Sequence, residues 1–300
     1  TGQNASLPNG TIKANTYSFN PGYYATDTIT GVVANGSSAT GVVKTGLGRT
    51  ILVANNTFTG STTIANGYLR ISKDENLGLA PGTATVNNIV LAYPGTLEIS
   101  DTFTLNANRG IQVSRGINAS QVPYIAFTAG GKTLTYNGVI ADGSYTGNYA
   151  GVVSGGFYLY GSSSNSTLIL SGVSTYTDNT VISSNATLQL TGALSSSTDL
   201  NINSNTGILD LQVSQTFNSI IDMYGSIVRN AGVSSLTVTT TSNIAGSITT
   251  SGTQTYSGDV TLKRTYLGGV STPTFTTTDS NLIFNGNVDS SGAGSLTDAN

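Results

Sequence analysis

Residues 42–71 read VVKTGLGRTILVANNTFTGSTTIANGYLRI, and residues 151–190 read GVVSGGFYLYGSSSNSTLILSGVSTYTDNTVISSNATLQL. Each stretch contains a glycine-punctuated turn, an apolar run, an Asn/Ser-Thr-aromatic-Thr segment and then Thr-Thr-Ile or Thr-Val-Ile. A small-residue turn and a Leu-x-Ile or Leu-x-Leu run follow. Repetition of this kind is typical of folds that stack one structural unit on the next. The sequence therefore predicts a repeat protein rather than two globular domains.

Short apolar runs with period two recur outside these copies, as in residues 209–213 and 236–238. Half-buried β-strands need this period, and β-branched residues dominate the runs. Turn dipeptides such as Asn137-Gly138 separate them. A helical period is never sustained for twelve residues, and residues 72–78 could form one short turn at most. The chain is therefore predicted to be all-β.

Among all-β folds, the repetition favours a right-handed parallel β-helix, in which each coil lies directly on the previous one. A sandwich is the alternative, but it would need longer strands and less repetition. At roughly 20–25 residues a coil, the chain makes about a dozen coils and a stack roughly 60 Å long. Ile64 and Leu188 are expected to point inward. Residues 1–300 are predicted to be one continuous β-helix segment of a larger exoprotein, with repeat copies near 42–100 and 151–192 and inserted loops within 124–153.

The composition argues against several classes of function. Charged residues make up only 8% of the chain, against roughly 25% in ordinary soluble domains. The net charge is −3 and no basic run occurs, so no nucleic-acid partner is expected. No apolar stretch reaches the roughly 20 residues of a membrane span, so direct membrane insertion is not expected either. The first ten residues, TGQNASLPNG, lack the basic and apolar regions of a signal peptide, and we expect a piece of a longer protein.

The chain has no cysteine and no histidine. A Ser-His-Asp triad in its usual form is thus excluded, and neither a metal site nor a cofactor is expected. Paired carboxylates could still cleave polysaccharides, and the candidate pairs are Asp74 with Glu75, Glu98 with Asp101, and Asp210 with Asp222. Glu98 and Asp101 flank a predicted strand end, where solvated carboxylates are ordinary, and Asp210 is expected to point outward. Catalysis is therefore the weakest of the functional hypotheses.

Tyrosine offers a different chemistry. There are 15 tyrosines, with clusters at Tyr23 and Tyr24, at Tyr145 and Tyr149, and at Tyr158 and Tyr160. Exposed tyrosines bind sugars or partner proteins because they offer a large contact area at a small entropic cost. The alternative is that they merely cover strand faces and cap turns. The candidate ligand or partner contacts are Tyr145, Tyr149, Tyr158 and Tyr160, since residues 124–153 break the repeat rhythm.

The first stretch resembles the passenger-associated transport repeat of bacterial autotransporters. That family's pattern is approximately K-T-G-x-G-x-L-x-L-x-x-x-N-x-Y-x-G-x-T-x-I-x-x-G-x-L-x-L, and the tail Asn76-Leu77-Gly78 is similar to its usual A-L-G. The matching positions are Lys44, Thr45, Gly46, Gly48, Leu52, Asn56, Phe58, Gly60, Thr62, Ile64, Gly67, Leu69 and Ile71.

The second copy keeps an aromatic residue, Tyr176, but has Asp178 and Asn185 where the first copy has Gly60 and Gly67. Asn adopts left-handed backbone more readily than most residues, so its exchange for glycine is mild. Residues 245–300 resemble filamentous-haemagglutinin-type exoproteins, in particular through SGTQTYSGDVTL and the later SNLIFNGNVDSS.

These resemblances imply a structural or adhesive passenger that is secreted or displayed on the surface of a Gram-negative bacterium and mediates adhesion, aggregation or biofilm formation. The implied partners are an outer-membrane translocator for export and a host-cell surface, a glycan or further copies of the chain. One alternative is a self-assembling fibre, sheath or surface-layer subunit. A second alternative is a polysaccharide-active enzyme on the same fold.

Overall fold

The strands of the protein stack into long parallel sheets. The structure, a computed structural model, describes residues 6–7, 10–118, 120–143, 154–263, 265–266, 269–270 and 272–291. The largest sheet has thirteen strands, each hydrogen-bonded to the next in spatial order. They are Ser6–Leu7, Thr26–Ile29, Arg49–Leu52, Tyr68–Ile71, Thr96–Ile99, Tyr124–Phe127, Phe157–Tyr160, Thr180–Ile182, Leu200–Ile202, Ile220–Met223, Ser242–Ile244, Val260–Lys263 and Val288–Ser291.

Other sheets share the remaining sides of the stack. An eight-stranded sheet contains Phe103–Leu105, Thr133–Tyr136, Ser166–Leu170, Ala186–Leu190, Ile208–Leu211, Ser226–Val228, Ser247–Thr250 and Thr274–Thr277. A six-stranded sheet contains Thr16–Phe19, Gly41–Lys44, Thr62–Ile64, Thr85–Ala92, Arg109–Ser114 and Ile140–Asp142. Smaller sheets are formed by Gln215–Phe217, Leu236–Val238, Gln254–Tyr256 and Leu282–Phe284, by Thr11–Ala14 with Val32–Asn35, and by the antiparallel pair Thr265–Tyr266 and Gly269–Val270.

The chain therefore winds as a parallel β-helix, as the sequence predicts. Thirteen strands in one sheet correspond to about a dozen coils. Coil length varies, from 18 residues between the paired Ile244 and Leu262 to 34 between Ile125 and Leu159. The described residues include one 3₁₀ turn, Asp74–Leu77, and no α-helix. A membrane-spanning helix is likewise not found among them.

The core is a set of apolar columns that run through the stack. On the thirteen-stranded sheet, one such column begins at Leu69. It continues through the register partners of Leu69 in eight further coils and ends at Leu262. The members between them are Leu97, Ile125, Leu159, Ile182, Ile202, Met223 and Ile244, and each is at most 1% exposed. Strand side chains alternate between the two faces, so the intervening residues point outward. Each coil thus buries its interior only against its two neighbours.

A charge placed in these columns is expected to unfold the neighbouring coils. Ile64 and Leu188 are both fully buried, and a buried carboxylate is among the most costly substitutions. This holds even beside Lys44, the register partner of Ile64, because the Lys44 ammonium already donates to the Gly46 and Asn66 carbonyls. Ile64→Asp and Leu188→Asp should each lower the free energy of unfolding by more than about 4 kcal/mol, measured by urea denaturation followed by circular dichroism. Thr63→Asp, at the half-buried outward position beside Ile64, should cost less than about 1 kcal/mol. Equal effects of Ile64→Asp and Thr63→Asp would contradict the assigned faces.

A buried asparagine replaces strand pairing where the chain turns between Leu52 and Thr62. The Oδ1 atom of Asn56 accepts a hydrogen bond from the Val33 N–H at 2.8 Å, and its Nδ2 donates to the Asn76 carbonyl at 2.7 Å. Val33 belongs to the coil below and Asn76 to the coil above. One side chain thus links three successive coils, because an amide offers both a donor and an acceptor.

Removal of this link should weaken the stack locally. Asn56→Leu would leave the Val33 N–H and the Asn76 carbonyl without partners in a buried place, at about 1–3 kcal/mol for each group. We therefore expect a loss of roughly 2–5 kcal/mol in the free energy of unfolding. Asn55→Leu is the matched control, since Asn55 is the exposed neighbour, and should change stability by less than about 0.5 kcal/mol. A loss no greater than that of the control would show that Asn56 does not carry the coil junction.

The two repeat copies lie on different sides of the β-helix. In the first copy, Thr62–Ile64 belongs to the six-stranded sheet and Tyr68–Ile71 to the thirteen-stranded sheet. In the second, Thr180–Ile182 belongs to the thirteen-stranded sheet and Ala186–Leu190 to the eight-stranded sheet. The repeat therefore specifies a strand–corner–strand unit and not a particular side.

The corner itself is similar in both copies. Gly67 has a φ of 60° and Asn185 a φ of 54°, so both adopt the left-handed conformation that the turn requires. A Cβ at Gly67 would lie 2.2 Å from the Gly46 carbonyl oxygen, which explains the glycine there. Asn185 adopts the same backbone, as its tolerance of this region predicts.

The region 124–153 supplies regular strands for its first part. Tyr124–Phe127, Thr133–Tyr136 and Ile140–Asp142 join the three sheets in order. Residues 144–153 lie outside the described residues, and the inserted loops expected within 124–153 stay a prediction for them.

Candidate functional site

An open groove lies on the outer face of the thirteen-stranded sheet, with a volume of about 740 Å³. It is built from outward-pointing side chains of strands in its N-terminal half and from the turn that contains Tyr93 and Pro94. We call it the tyrosine groove. Its lining residues are Arg49, Tyr68, Arg70, Tyr93, Pro94, Thr96, Glu98, Tyr124, Ala126, Phe127, Thr128, Tyr158 and Tyr160.

Strand register creates the aromatic row of the groove. Tyr68 pairs with Thr96, Thr96 with Tyr124, and Tyr124 with Tyr158. These residues alternate with the inward column described above, so all four point outward. The rings of Tyr124 and Tyr158 are 5.0 Å apart, centroid to centroid, at an interplanar angle of 42°. The row runs along the axis of the stack.

A cluster of three charged residues forms the floor of the groove beside this row. Glu98 accepts hydrogen bonds from Arg49 Nε at 2.6 Å and Nη2 at 2.8 Å, and from Arg70 Nε at 3.1 Å. The Glu98 side chain is 7% exposed, whereas those of Arg49 and Arg70 are 31% and 27% exposed. The Arg49 guanidinium carbon also lies 5.2 Å from the centroid of the Tyr68 ring. We call these three residues the ionic cluster.

The surroundings of Arg49 and Tyr124 shift the pKa values of both side chains upward. The hydrogen bond to Glu98 raises the pKa of Arg49 above its usual value. Burial raises the pKa of Tyr124, and the nearby Tyr93, Tyr158 and Tyr68 raise it further. The Tyr124 phenol is therefore neutral at physiological pH. Two guanidinium groups face one carboxylate, so the ionic cluster carries a net charge of +1.

A smaller hollow of about 250 Å³ extends the groove toward the N-terminal coils and shares Arg49 and Tyr68 with it. Tyr23 and Tyr24 line it, with ring centroids 4.0 Å apart. Tyr24 is 86% exposed and has a φ of 66°, which is uncommon for an aromatic residue. Thr26 lines the smaller hollow and has the same register position as Tyr158 in the main groove. Five strand spacings separate the two residues, so the combined surface is about 24 Å long.

Two of the four tyrosines proposed from the sequence, Tyr158 and Tyr160, line the groove. The Tyr158 hydroxyl donates to Ser183 Oγ at 2.9 Å and accepts from Asn203 Nδ2 at 2.9 Å, so the coils beyond it hold its ring. Tyr145 and Tyr149 lie outside the described residues.

The other tyrosines that line the groove, Tyr68, Tyr93 and Tyr124, were not identified by sequence reasoning. They are far apart in the sequence and belong to coils of different lengths. Their proximity could have been predicted only by aligning the coils on the inward residues Leu69, Leu97 and Ile125, which are register partners.

The structure corrects the expectation for Glu98. It lies within the strand Thr96–Ile99 and is buried, not solvated at a strand end. It points outward, but the arginines of the ionic cluster cover it. Asp101, its proposed partner, forms an exposed pair with Lys132 at 2.9 Å instead. Because Glu98 is the one carboxylate among the described residues of the groove lining, the groove does not assemble the two carboxyl groups that glycoside hydrolysis uses.

The remaining candidate carboxylates have separate partners. Asp74 forms a two-bond ion pair with the fully buried Arg109, at 2.8 and 3.1 Å. Asp210 points outward from its strand, as expected, and accepts hydrogen bonds from two glutamines. Asp222 pairs with Lys263. No group of three or more acidic, histidine or cysteine residues suited to a metal ion occurs in the part of the chain that the structure describes.

Comparisons with known proteins agree with this architecture. The family profile described as Passenger-associated-transport-repeat matches residues 42–71 and 164–193. The chain is 29% identical over 116 residues to the Adhesin BmaC autotransporter of Brucella suis biovar 1. This alignment covers 39% of the chain and 3% of that relative, so the chain spans a small part of its length. No solved structure matches.

The repeat, the relative and the parallel stack together define a class of protein. The chain carries two passenger-associated transport repeats and is similar, over part of its length, to an autotransporter passenger. It is thereby a secreted or cell-surface protein of a Gram-negative bacterium.

The ionic cluster is expected to stabilise the coils that it joins. Glu98→Gln would leave two guanidinium groups adjacent without their carboxylate, and since both arginines are partly solvated the free energy of unfolding should fall by about 1–3 kcal/mol. The measurement is urea denaturation at low and high salt. Asp101→Asn removes an exposed pair and should have no measurable effect. A stability of Glu98→Gln equal to that of the wild type would contradict a structural role for the cluster.

Proposed function

We propose that this chain is a structural and adhesive passenger segment, a stiff stalk that presents the tyrosine groove to a ligand on another surface. The observation that carries the proposal is the row of partly exposed tyrosines on the outer face of an otherwise polar sheet. Tyr68 of this row is 41% exposed, and Tyr160, which also lines the groove, is 45% exposed. Tyrosines are enriched at binding surfaces because they combine an apolar ring with a polar tip.

Export through an outer-membrane translocator is part of the same proposal. The relationship to autotransporter passengers supports it, and so does the architecture. Each coil packs only against its neighbours, so folding can propagate coil by coil as the chain emerges. The absence of cysteine means that no disulfide has to form or break during passage.

The groove supports binding rather than catalysis. Glu98 is bonded to both Arg49 and Arg70. Among the described lining residues it has no second carboxyl group with which to perform general acid and base chemistry. The Brucella suis relative is an adhesin, and an adhesive role for this chain accords with that relationship. Adhesion to a host-cell surface or to a glycan, with aggregation or biofilm formation as a result, is the function that we infer.

Bead retention tests this function. Beads coated with the purified chain would be washed under flow over an epithelial-cell layer and over a glycan-coated surface. The double variant Tyr124→Ala with Tyr158→Ala should reduce retention about tenfold or more, because each aromatic contact contributes roughly 0.5–1.5 kcal/mol beyond its buried area. Tyr224→Ala is the control and should leave retention unchanged, because Tyr224 is a half-buried tyrosine that directly follows the strand Ile220–Met223, several coils away.

The outcomes separate the alternatives. Unchanged retention of the double variant, with an unchanged circular dichroism spectrum, would contradict the groove as the adhesive site. If retention occurs only with self-associated chain, as measured by sedimentation velocity, the fibre or surface-layer alternative replaces the adhesive one.

A further inference from the structure

We propose that the tyrosine groove binds a linear, carboxylated oligosaccharide that lies parallel to the axis of the β-helix, with Arg70 paired to a sugar carboxylate. This inference deepens the proposed function and rests on it. The direction of the groove, its backbone environment and its charge all favour an acidic polysaccharide chain as the occupant.

The direction comes from the register of the strands. Tyr68, Tyr124 and Tyr158 occupy one outward row, with one coil per strand spacing of about 4.8 Å. The hollow at Tyr23 and Tyr24 continues this row because it shares Tyr68 with the main groove. A surface about 24 Å long is longer than one sugar and suits several units of an extended chain.

The backbone environment favours a sugar over a peptide. The groove lies in the middle of the sheet, where the strand Thr96–Ile99 is paired on both sides, with Tyr68–Ile71 and with Tyr124–Phe127. An extended peptide adds to a sheet through free N–H and C=O groups at an edge strand, and these are already used here. A ligand of this surface must be recognised by side chains alone. Tyrosine rings can pack on the apolar face of a sugar ring while their hydroxyls bond to its hydroxyls.

The charge favours a carboxylated sugar. Glu98 accepts hydrogen bonds from both Nε and Nη2 of Arg49, but only from Nε of Arg70. Within the described residues, the two Nη groups of Arg70 make no hydrogen bond to the protein, and the side chain is 27% exposed. A guanidinium edge with free N–H groups matches a carboxylate in a bidentate geometry. The net charge of +1 in the ionic cluster contrasts with the −3 of the whole chain.

The test uses the whole chain and hyaluronan oligosaccharides as probes, with calorimetry as the readout. The hexasaccharide should bind, and the same hexasaccharide with its carboxyl groups reduced to primary alcohols should bind about tenfold more weakly, because a charge-assisted bidentate pair is lost. The hyaluronan disaccharide, which fills only part of the row, should also bind at least about tenfold more weakly.

Substitutions assign the contact to its residue. Arg70→Gln should lower the affinity for the acidic hexasaccharide about tenfold and leave the affinity for the reduced one unchanged. Arg229→Gln is the matched control, since it removes the same charge from an exposed site in a distant coil, where Arg229 donates to the Gly232 carbonyl. It should change neither affinity. Tyr158→Ala should weaken both.

Several results would overturn the inference. Equal affinity for the acidic and the reduced hexasaccharide would contradict the proposed contact between Arg70 and a sugar carboxylate. Equal affinity for the disaccharide and the hexasaccharide would contradict the binding of an extended chain along the axis. Tighter binding of hexaglutamate than of hyaluronan hexasaccharide would make the occupant a peptide. If neither oligosaccharide binds while the beads are still retained through Tyr124 and Tyr158, the adhesive function stands and the acidic polysaccharide is wrong.

Discussion

In-register stacking of parallel strands is the constraint on which the rest of this structure depends. Each strand between the two end strands of the thirteen-stranded sheet pairs with one coil below and one above. The inward column from Leu69 to Leu262 continues over nine coils, across a register irregularity in the strand Ile220–Met223. Side chains alternate with a period of two, so a slip of one residue would exchange the column with the outward row. The same register that buries Leu97 and Ile125 therefore also brings Tyr68, Tyr124 and Tyr158 into line.

Coil length is free to vary as long as this register is kept. Coils of 18 and 34 residues occur in the same stack, and the differences are absorbed in corners and turns. Where a strand is missing, polar side chains provide the contacts between coils. Asn56 does so with a single amide, and the buried Arg109 does so around the 3₁₀ turn through Asp74 and the carbonyls of Leu77 and Gly78.

The architecture could be predicted from the sequence because it depends on local patterns. Period-two runs, turn residues and the repeated corner at Gly67 and Asn185 are all visible within short windows. The groove could not be predicted, since it depends on which residues meet across coils. Tyr124 and Tyr158 are 34 residues apart and meet only because Ile125 and Leu159 do. Glu98 was misplaced for the same reason, because the arginines that cover it belong to preceding coils.

The sheets also determine how the stack of coils bears a pull. Hydrogen bonds between stacked strands run along the long axis, so tension between the two ends loads them along their own direction. At each coil junction, the bonds of all the sheets share that load. The Asn56 amide adds its own bonds at a junction where the pairing is interrupted. A cell held in flowing liquid by the proposed stalk would be retained by many weak bonds acting in parallel at every coil junction.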